Sequence, residues 1–476
     1  MAGTFMVGET KIRPGAYFNI QMGGSRQTAE TYDGTAVAFF RSDFGPLNQA
    51  VEIVPGEGYG KDYEKLYEQI YGNAGTTDII REVLAGGVSK CICIRLGKDG
   101  TQASVKLTSG ETEVISLTAS YPGAKEFSVT VREKLSDSSV KECIIYSGTK
   151  EFETHDFVTG EDEAKSFAEA FAESTAFICK VLVEAPGQID TVDDKPFTAG
   201  EDPTVTAEEY STGFAIAEAY RFNTACVDTE DMAVHILLSA FLDRIFDVGQ
   251  LALAVVAEKN SVDLETRIGH AAYYNSEKMH YVVNASAEKS GKSVEGYLVA
   301  ARIAGMIAAC PANKSLTHEV ISDYTRLMDP MTPTQITVAE KSGCIVLSNN
   351  DKGQIWIDSA INTLITPAEN QDDGWKKIRR TKTRYELMNR CNSMADSMVG
   401  KVDNDSNGRA TVVSKLQGIV NAMVNEGKLI SGTVVENTVQ TADGDYAYFD
   451  ISVIDKDSIE HIYLTYRFQF SSVVTE

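Results

Sequence analysis

No stretch of this 476-residue chain is both long enough and apolar enough to span a bilayer. The N-terminus, MAGTFMVGETKIRPGAYF, has no apolar h-region, so a cleaved secretory signal is not expected. No CxxC pair occurs among the eight cysteines, Cys91, Cys93, Cys143, Cys179, Cys226, Cys310, Cys344 and Cys391, which argues against zinc and dithiol chemistry. Cys91 and Cys93 alternate along KCICIRL with isoleucines on the other face, and we read the cysteines as reduced, buried small hydrophobes of a chain made in a reducing compartment. Positive charge is scarce: 44 Lys and Arg face 68 Asp and Glu, a formal net charge of -24. That field repels phosphate, so neither nucleic acid nor an anionic membrane is an expected partner.

Catalytic signatures are also missing. There is no GxSxG, HExxH or P-loop, and Gly56-x-Gly58-x-Gly60 lacks the dinucleotide spacing and reads as a loop. The six histidines, His155, His235, His270, His280, His318 and His461, show no ligand spacing, so neither metal nor cofactor is expected. Asp403-x-Asp405-x-Asn407-Gly408 resembles the start of a calcium loop, but its twelfth position is Ser414 rather than glutamate. The alternative, preferred here, is an N-cap before ATVVSKLQGIVNAMV. No serine sits in a nucleophile-elbow context, which leaves a cytosolic α/β hydrolase with an accessory β-domain as a secondary reading.

What is present is organised. A chain of this length holds two to four domains. Residues 1–20 form an extended arm punctuated by glycine. Strand and helix patterns then alternate over 21–97 (TAVAFFRS, QAVEIV, TTDIIREVLAGG, SKCICIRL) and again over 198–341, predicting one discontinuous α/β domain with a mostly parallel sheet. Thr206, Ser261 and Ser293 are the expected helix caps of its second half. Between the two pieces, 98–197 carries alternating runs split by Gly, Ser and Asp, the mark of an inserted antiparallel β-rich domain. Residues 342–476 make an α+β C-terminal domain. It contains a basic run in an acidic protein (Lys376, Lys377, Arg379, Arg380, Lys382, Arg384), a second helix, and the strand-like segments YAYFDISVI and IEHIYLTYRF. A basic run is ordinarily a solvated helix end. Beside an amphipathic face it also suits an acidic protein surface, such as 151–163 of another subunit.

In the order of these features the chain resembles the tail sheath proteins of contractile phages and R-type bacteriocins, closest to those of Gram-positive hosts. The resemblance rests on RPGAYF in the arm, EVLAGGVSKCICIRL, the β-rich insertion, AARIAGMIAACP, and a C-terminal order of GQIWIDSAINTLIT, WKKIRRTKTRYELMNRC, NEGKL and YLTYRF. It implies a subtilisin-like α/β sheath core without protease residues, and a structural, non-enzymatic subunit that stacks as six-fold rings around a tube and contracts. It implies inter-subunit strands from the N-terminal arm (Thr4, Phe5, Val7, Ile12) and the C-terminal arm (Ile459, Ile462, Leu464, Tyr466, Phe468). The basic helix, with Lys376, Lys377, Arg379, Arg380, Lys382, Arg384 and Arg390, would face the tube. Expected partners are copies of the chain, the tube protein, and baseplate and tail-terminator proteins. Assembly would take place in the bacterial cytoplasm. A non-contractile coat protein is the remaining alternative.

Overall fold

The computed structural model describes residues 34–55, 67–68, 70–72, 75–183, 188–369 and 371–468, with the backbone alone of Gly3–Thr4, Tyr17–Phe18 and Glu295. The architecture is mixed α/β, built on several sheets. Its centre is a seven-stranded sheet in the order Cys344–Ile345, Met279–Val282, Leu253–Val256, Thr224–Val227, Thr35–Phe40, Lys90–Arg95, Ala50–Ile53. All neighbours are parallel except the last pair.

Burial on both faces explains the near-continuous apolar strands. Along Thr35–Phe40, Ala36, Ala38 and Phe40 point into one core while Val37 and Phe39 point into the other. Cys91 and Cys93 join the first core, and Ile92 and Ile94 the second. All eight cysteines are free thiols, six of them buried and two, Cys179 and Cys310, half-buried.

The helices Asp78–Ala85 and Tyr297–Ala309 cover the first face. They meet through glycine. A Cβ on Gly305 would lie 2.3 Å from the Val83 carbonyl oxygen, and one on Gly86 would lie 2.6 Å from Gly305 itself. The small residues of AARIAG thus serve packing inside the chain. Helices Ala207–Ala217, Met232–Asp247, Leu264–Tyr274 and Pro333–Lys341 cover the other face. Thr206 forms the expected capping box with Glu209. The other two expected caps fall elsewhere. Asp263, whose carboxylate accepts from the N–H groups of Glu265 and Thr266, replaces Ser261, and Gly296 replaces Ser293, which lies in the strand Lys292–Glu295. A carboxylate nearer the helix start, and a glycine at φ 54°, override the nearest serine.

Residues 102–196 form two antiparallel sheets. One has the order Lys150–Val158, Asp137–Ser147, Ser128–Lys134, Val192–Pro196, the other Phe177–Val181, Thr112–Pro122, Gln102–Ser109. A separate core fills them, with Phe127 edge-on to Phe44, Phe152 and Phe177 at 5.1–5.3 Å. Arg95, fully buried, ties this unit to the central sheet by donating to the carbonyls of Ser42 (2.7 Å), Gly45 (2.7 Å) and Pro122 (2.8 Å).

The C-terminal part begins inside the central sheet, because GCIVLSNN divides between its edge strand Cys344–Ile345 and a hairpin, Leu347–Asn349 with Ile355–Ile357. The basic helix Ile378–Met398 follows, then the helix Ser406–Asn425 and the hairpin Leu429–Glu436/Phe449–Asp455. Asp405 caps the second helix by accepting from Gly408 N–H at 2.7 Å, as the capping reading expects. IEHIYLTYRF forms no strand within the chain: 456–468 has no regular structure.

Candidate assembly interface

The ends of the parallel strands are the place where an α/β sheet would carry a ligand. At the switch between Thr35–Phe40 and Thr224–Val227 that place is filled. Asp228, fully buried, accepts from the backbone N–H of Arg41 (2.7 Å), from its Nε (2.8 Å) and from the Tyr210 hydroxyl. Two concavities are best formed among the described residues. One, of about 30 Å³, lies under the basic helix beside Lys382, Tyr385 and Glu386; the other is an open groove of about 450 Å³ walled by Phe246, Tyr274, Lys278 and Trp375. Neither sets a serine or cysteine beside a histidine.

The basic run makes polar contacts with several distant segments. Its cations divide between two destinations. Three reach the central domain. Lys376 donates to the carbonyls of Glu340 and Lys341. Lys382, 8% exposed, donates to the carbonyls of Ile307 (2.5 Å), Ala308 (3.4 Å) and Cys310, the unpaired end of the helix Tyr297–Ala309. Arg384 stacks over Trp375 at 3.9 Å and binds Glu277 at 2.6 Å. Three others hold C-terminal segments. Lys377 pairs with Asp457 (2.7 Å) and Glu460 (3.1 Å), and Arg380 with Asp455 (2.5 Å) and Asp372 (3.0 Å). Arg390 grips both oxygens of Glu426 at 2.9 Å and pairs with Glu386, which also binds Lys428. Arg379 is buried, and its Nε has no partner among the described residues.

Burial lowers the ammonium pKa of Lys376. For Lys377 burial acts the same way, but its hydrogen bonds to Asp457 and Glu460 outweigh it and the pKa is raised. Nearby, burial and the Asp358 carboxylate push Glu340 up to about 7, against a smaller opposing pull from Lys376. The acidic partners were not legible as a set, because they come from distant segments. The cluster DKDSIE, directly after the last strand, was the one available signal.

The arms are the second feature. Ile459, Ile462, Leu464, Tyr466 and Phe468 are 83%, 72%, 69%, 72% and 83% exposed. Ile462, Leu464, Tyr466 and Phe468 alternate, so an extended chain would place them on one face. The hairpin before them is two-stranded, with one face packed on the helix Ser406–Asn425 and neither edge paired to a further strand among the described residues, though Gln417 accepts from the Val434 N–H at 3.1 Å. In the N-terminal arm, Thr4 lies in a two-residue strand, Gly3–Thr4, parallel to Tyr17–Phe18. Phe5, Val7 and Ile12 lie outside the described residues.

This layout is the fold of tail sheath proteins. The sheath tail protein of Desulfitobacterium hafniense is similar over 96% of this chain and 100% of its own, with a TM-score of 0.72 at 18% identity. That of Listeria innocua is similar over 91% and 97%, with a TM-score of 0.66 at 20% identity. The helical sheath of the anti-feeding prophage in its contracted state is similar over 96% and 99%, with a TM-score of 0.51 at 12% identity. Within the fold, residues 204–363 match the family described as phage tail sheath protein central domain.

Proposed function

We propose that the chain is the structural subunit of a contractile tail sheath, assembling as stacked six-fold rings around an inner tube and shortening to drive the tube through a bacterial envelope. One observation supports this beyond the fold itself: an unpaired apolar arm follows a two-stranded sheet whose edges pair with no further strand among the described residues. A lone two-stranded ribbon is marginal, and an open edge accepts an added strand. On this reading the 459–468 arm and the N-terminal arm around Thr4, Phe5, Val7 and Ile12 add strands to neighbouring subunits. The core is read as a subtilisin-like outline without catalysis, its switch point occupied by Arg41, Asp228 and Tyr210. Its units are the discontinuous α/β domain, which takes in the edge strand Cys344–Ile345, the inserted 98–197 domain and the C-terminal domain that follows that strand.

The tube-facing role of the basic helix is kept in narrower form. Six of its seven cations already have partners within the chain and none of those six is exposed, so contact with an acidic tube would proceed by partner exchange. Baseplate and terminator proteins are the proposed partners at the ends of the stack, assembled in the bacterial cytoplasm. Among the described residues no helix is long and apolar enough to cross a membrane. The test is negative-stain imaging of the purified chain with and without a cognate tube protein. Tubes or rings are expected, and a strictly monomeric species at high concentration would refute the reading.

A further inference from the structure

After Asp455 the last strand ends, and one backbone bond, from Lys456 N–H to Lys428 C=O at 3.1 Å, closes its ladder. The next residues are held by side chains. Lys377 Nζ donates to Asp457 Oδ2 (2.7 Å) and sits 3.1 Å from Glu460 Oε2. The other Glu460 oxygen accepts from the hydroxyls of Ser315 (3.2 Å) and Thr317 (3.3 Å). This is a built seat, because Thr317 Oγ1 is itself fixed by the Ala360 N–H at 3.1 Å. The Glu460 side chain is only 12% exposed, while Ile459 beside it is 83% exposed. The arm is therefore anchored at Glu460 and free beyond it.

We propose that this seat is a releasable clamp that gives the C-terminal arm two working lengths. The inference rests on the sheath reading, in which the arm tethers neighbouring subunits through two geometries. With the clamp closed, the free arm starts at His461, and 461–468 can span at most about 29 Å. With the clamp open, the five residues 456–460 peel away and add up to about 18 Å. The order of yielding follows from the two kinds of bond in series. A strand inserted in a sheet is held by a ladder of main-chain bonds, whereas the root is held by a single ammonium shared between two carboxylates. A stretched arm opens its own root before it leaves its neighbour. The seat also fixes where the arm departs from the body when unstretched.

Zero-length carbodiimide cross-linking of the full chain reads the clamp directly, since it joins an amine only to a carboxylate in contact. In the free chain, peptide mass mapping should find Lys377 joined to Asp457 or Glu460. Absence of that link overturns the clamp. In assembled sheath, link yield should differ severalfold between the extended and contracted states, because only the closed clamp holds the amine against a carboxylate. Equal yields overturn the length role. The Lys377→Arg variant keeps the charge but cannot form the amide. Carbodiimide treatment in the closed state should therefore block the change of state in wild type and spare it in Lys377→Arg, and blockage in both would count against the proposal. If the chain never assembles, the sheath reading and the length role fail together. A Lys377 link in the free chain would then show the seat acting as a static brace.

Discussion

Replacing Lys382 by methionine tests how the C-terminal part is fastened to the central domain. The ammonium lies under the last turn of Tyr297–Ala309 and donates to the carbonyls of Ile307, Ala308 and Cys310. These belong to the group that every helix leaves unpaired at its C-terminus. Methionine keeps the stem and volume but removes the charge and the donors. Replacing a buried charge by an apolar group can be neutral when its partners are also removed, but here the carbonyls remain. Each buried acceptor left without a partner costs about 1–3 kcal/mol, and a cation at a helix C-terminus contributes up to about 2 kcal/mol. The lost desolvation cost of the ammonium offsets part of this, so a net loss of about 2–4 kcal/mol is expected. A chain of this size is not expected to unfold in two states, so a global midpoint would dilute a local effect. Amide exchange of 303–309, measured against 35–40 in the same sample, isolates the effect. At this cost exchange in the helix should quicken about thirtyfold or more, since 1.4 kcal/mol is tenfold, while the central strand stays unchanged. A variant whose helix exchanges within twofold of wild type would refute the capping role.

Gly305→Ala places a methyl 2.3 Å from the Val83 carbonyl oxygen, a backbone atom that cannot swing aside. A loss of at least about 1–3 kcal/mol is expected, read as a lower unfolding temperature and lower soluble yield. Glu340 has its pKa raised to about 7 by burial and by Asp358. A raised carboxyl pKa favours the protonated fold, so this stability is present below the unfolded value near 4.5 and is lost as pH rises through about 7. Glu340→Gln should match wild type at pH 4 and unfold at a higher temperature than wild type at pH 8; identical melting curves at both would rule this out. Ile462→Asp with Leu464→Asp, on exposed positions of the arm, should leave circular dichroism and melting unchanged while abolishing rings or tubes in negative stain. Intact assemblies would remove the arm from the mechanism.

Much of the fold was written locally. TAVAFF and KCICIRL alternate between two apolar faces, and the structure sends those faces into two cores. Thr206 and Asp405 announced their helices because a cap is a contact within three residues. Ser261 and Ser293 misled because Asp263 and the positive φ of Gly296 decide those starts, and only the tertiary backbone shows that. The candidate site was half legible. The basic run and the apolar arm stood out as patterns. Their relation did not, since Lys377 meets Asp457 and Glu460 about eighty residues on, and periodicity carries no information over such a span.

The central strand Thr35–Phe40 pairs on one side with Lys90–Arg95 and on the other with Thr224–Val227. Between those partners lies a unit whose strands pair mainly with near neighbours around a core of their own. Contacts close in sequence form quickly, and those across long loops form slowly. The phenylalanine-filled sheets of 102–196 can thus be complete while Thr35–Phe40 still waits for half of its ladder. During synthesis that strand emerges early and spends the interval with an apolar edge uncovered. A longer wait in that state makes the nascent chain more prone to aggregate.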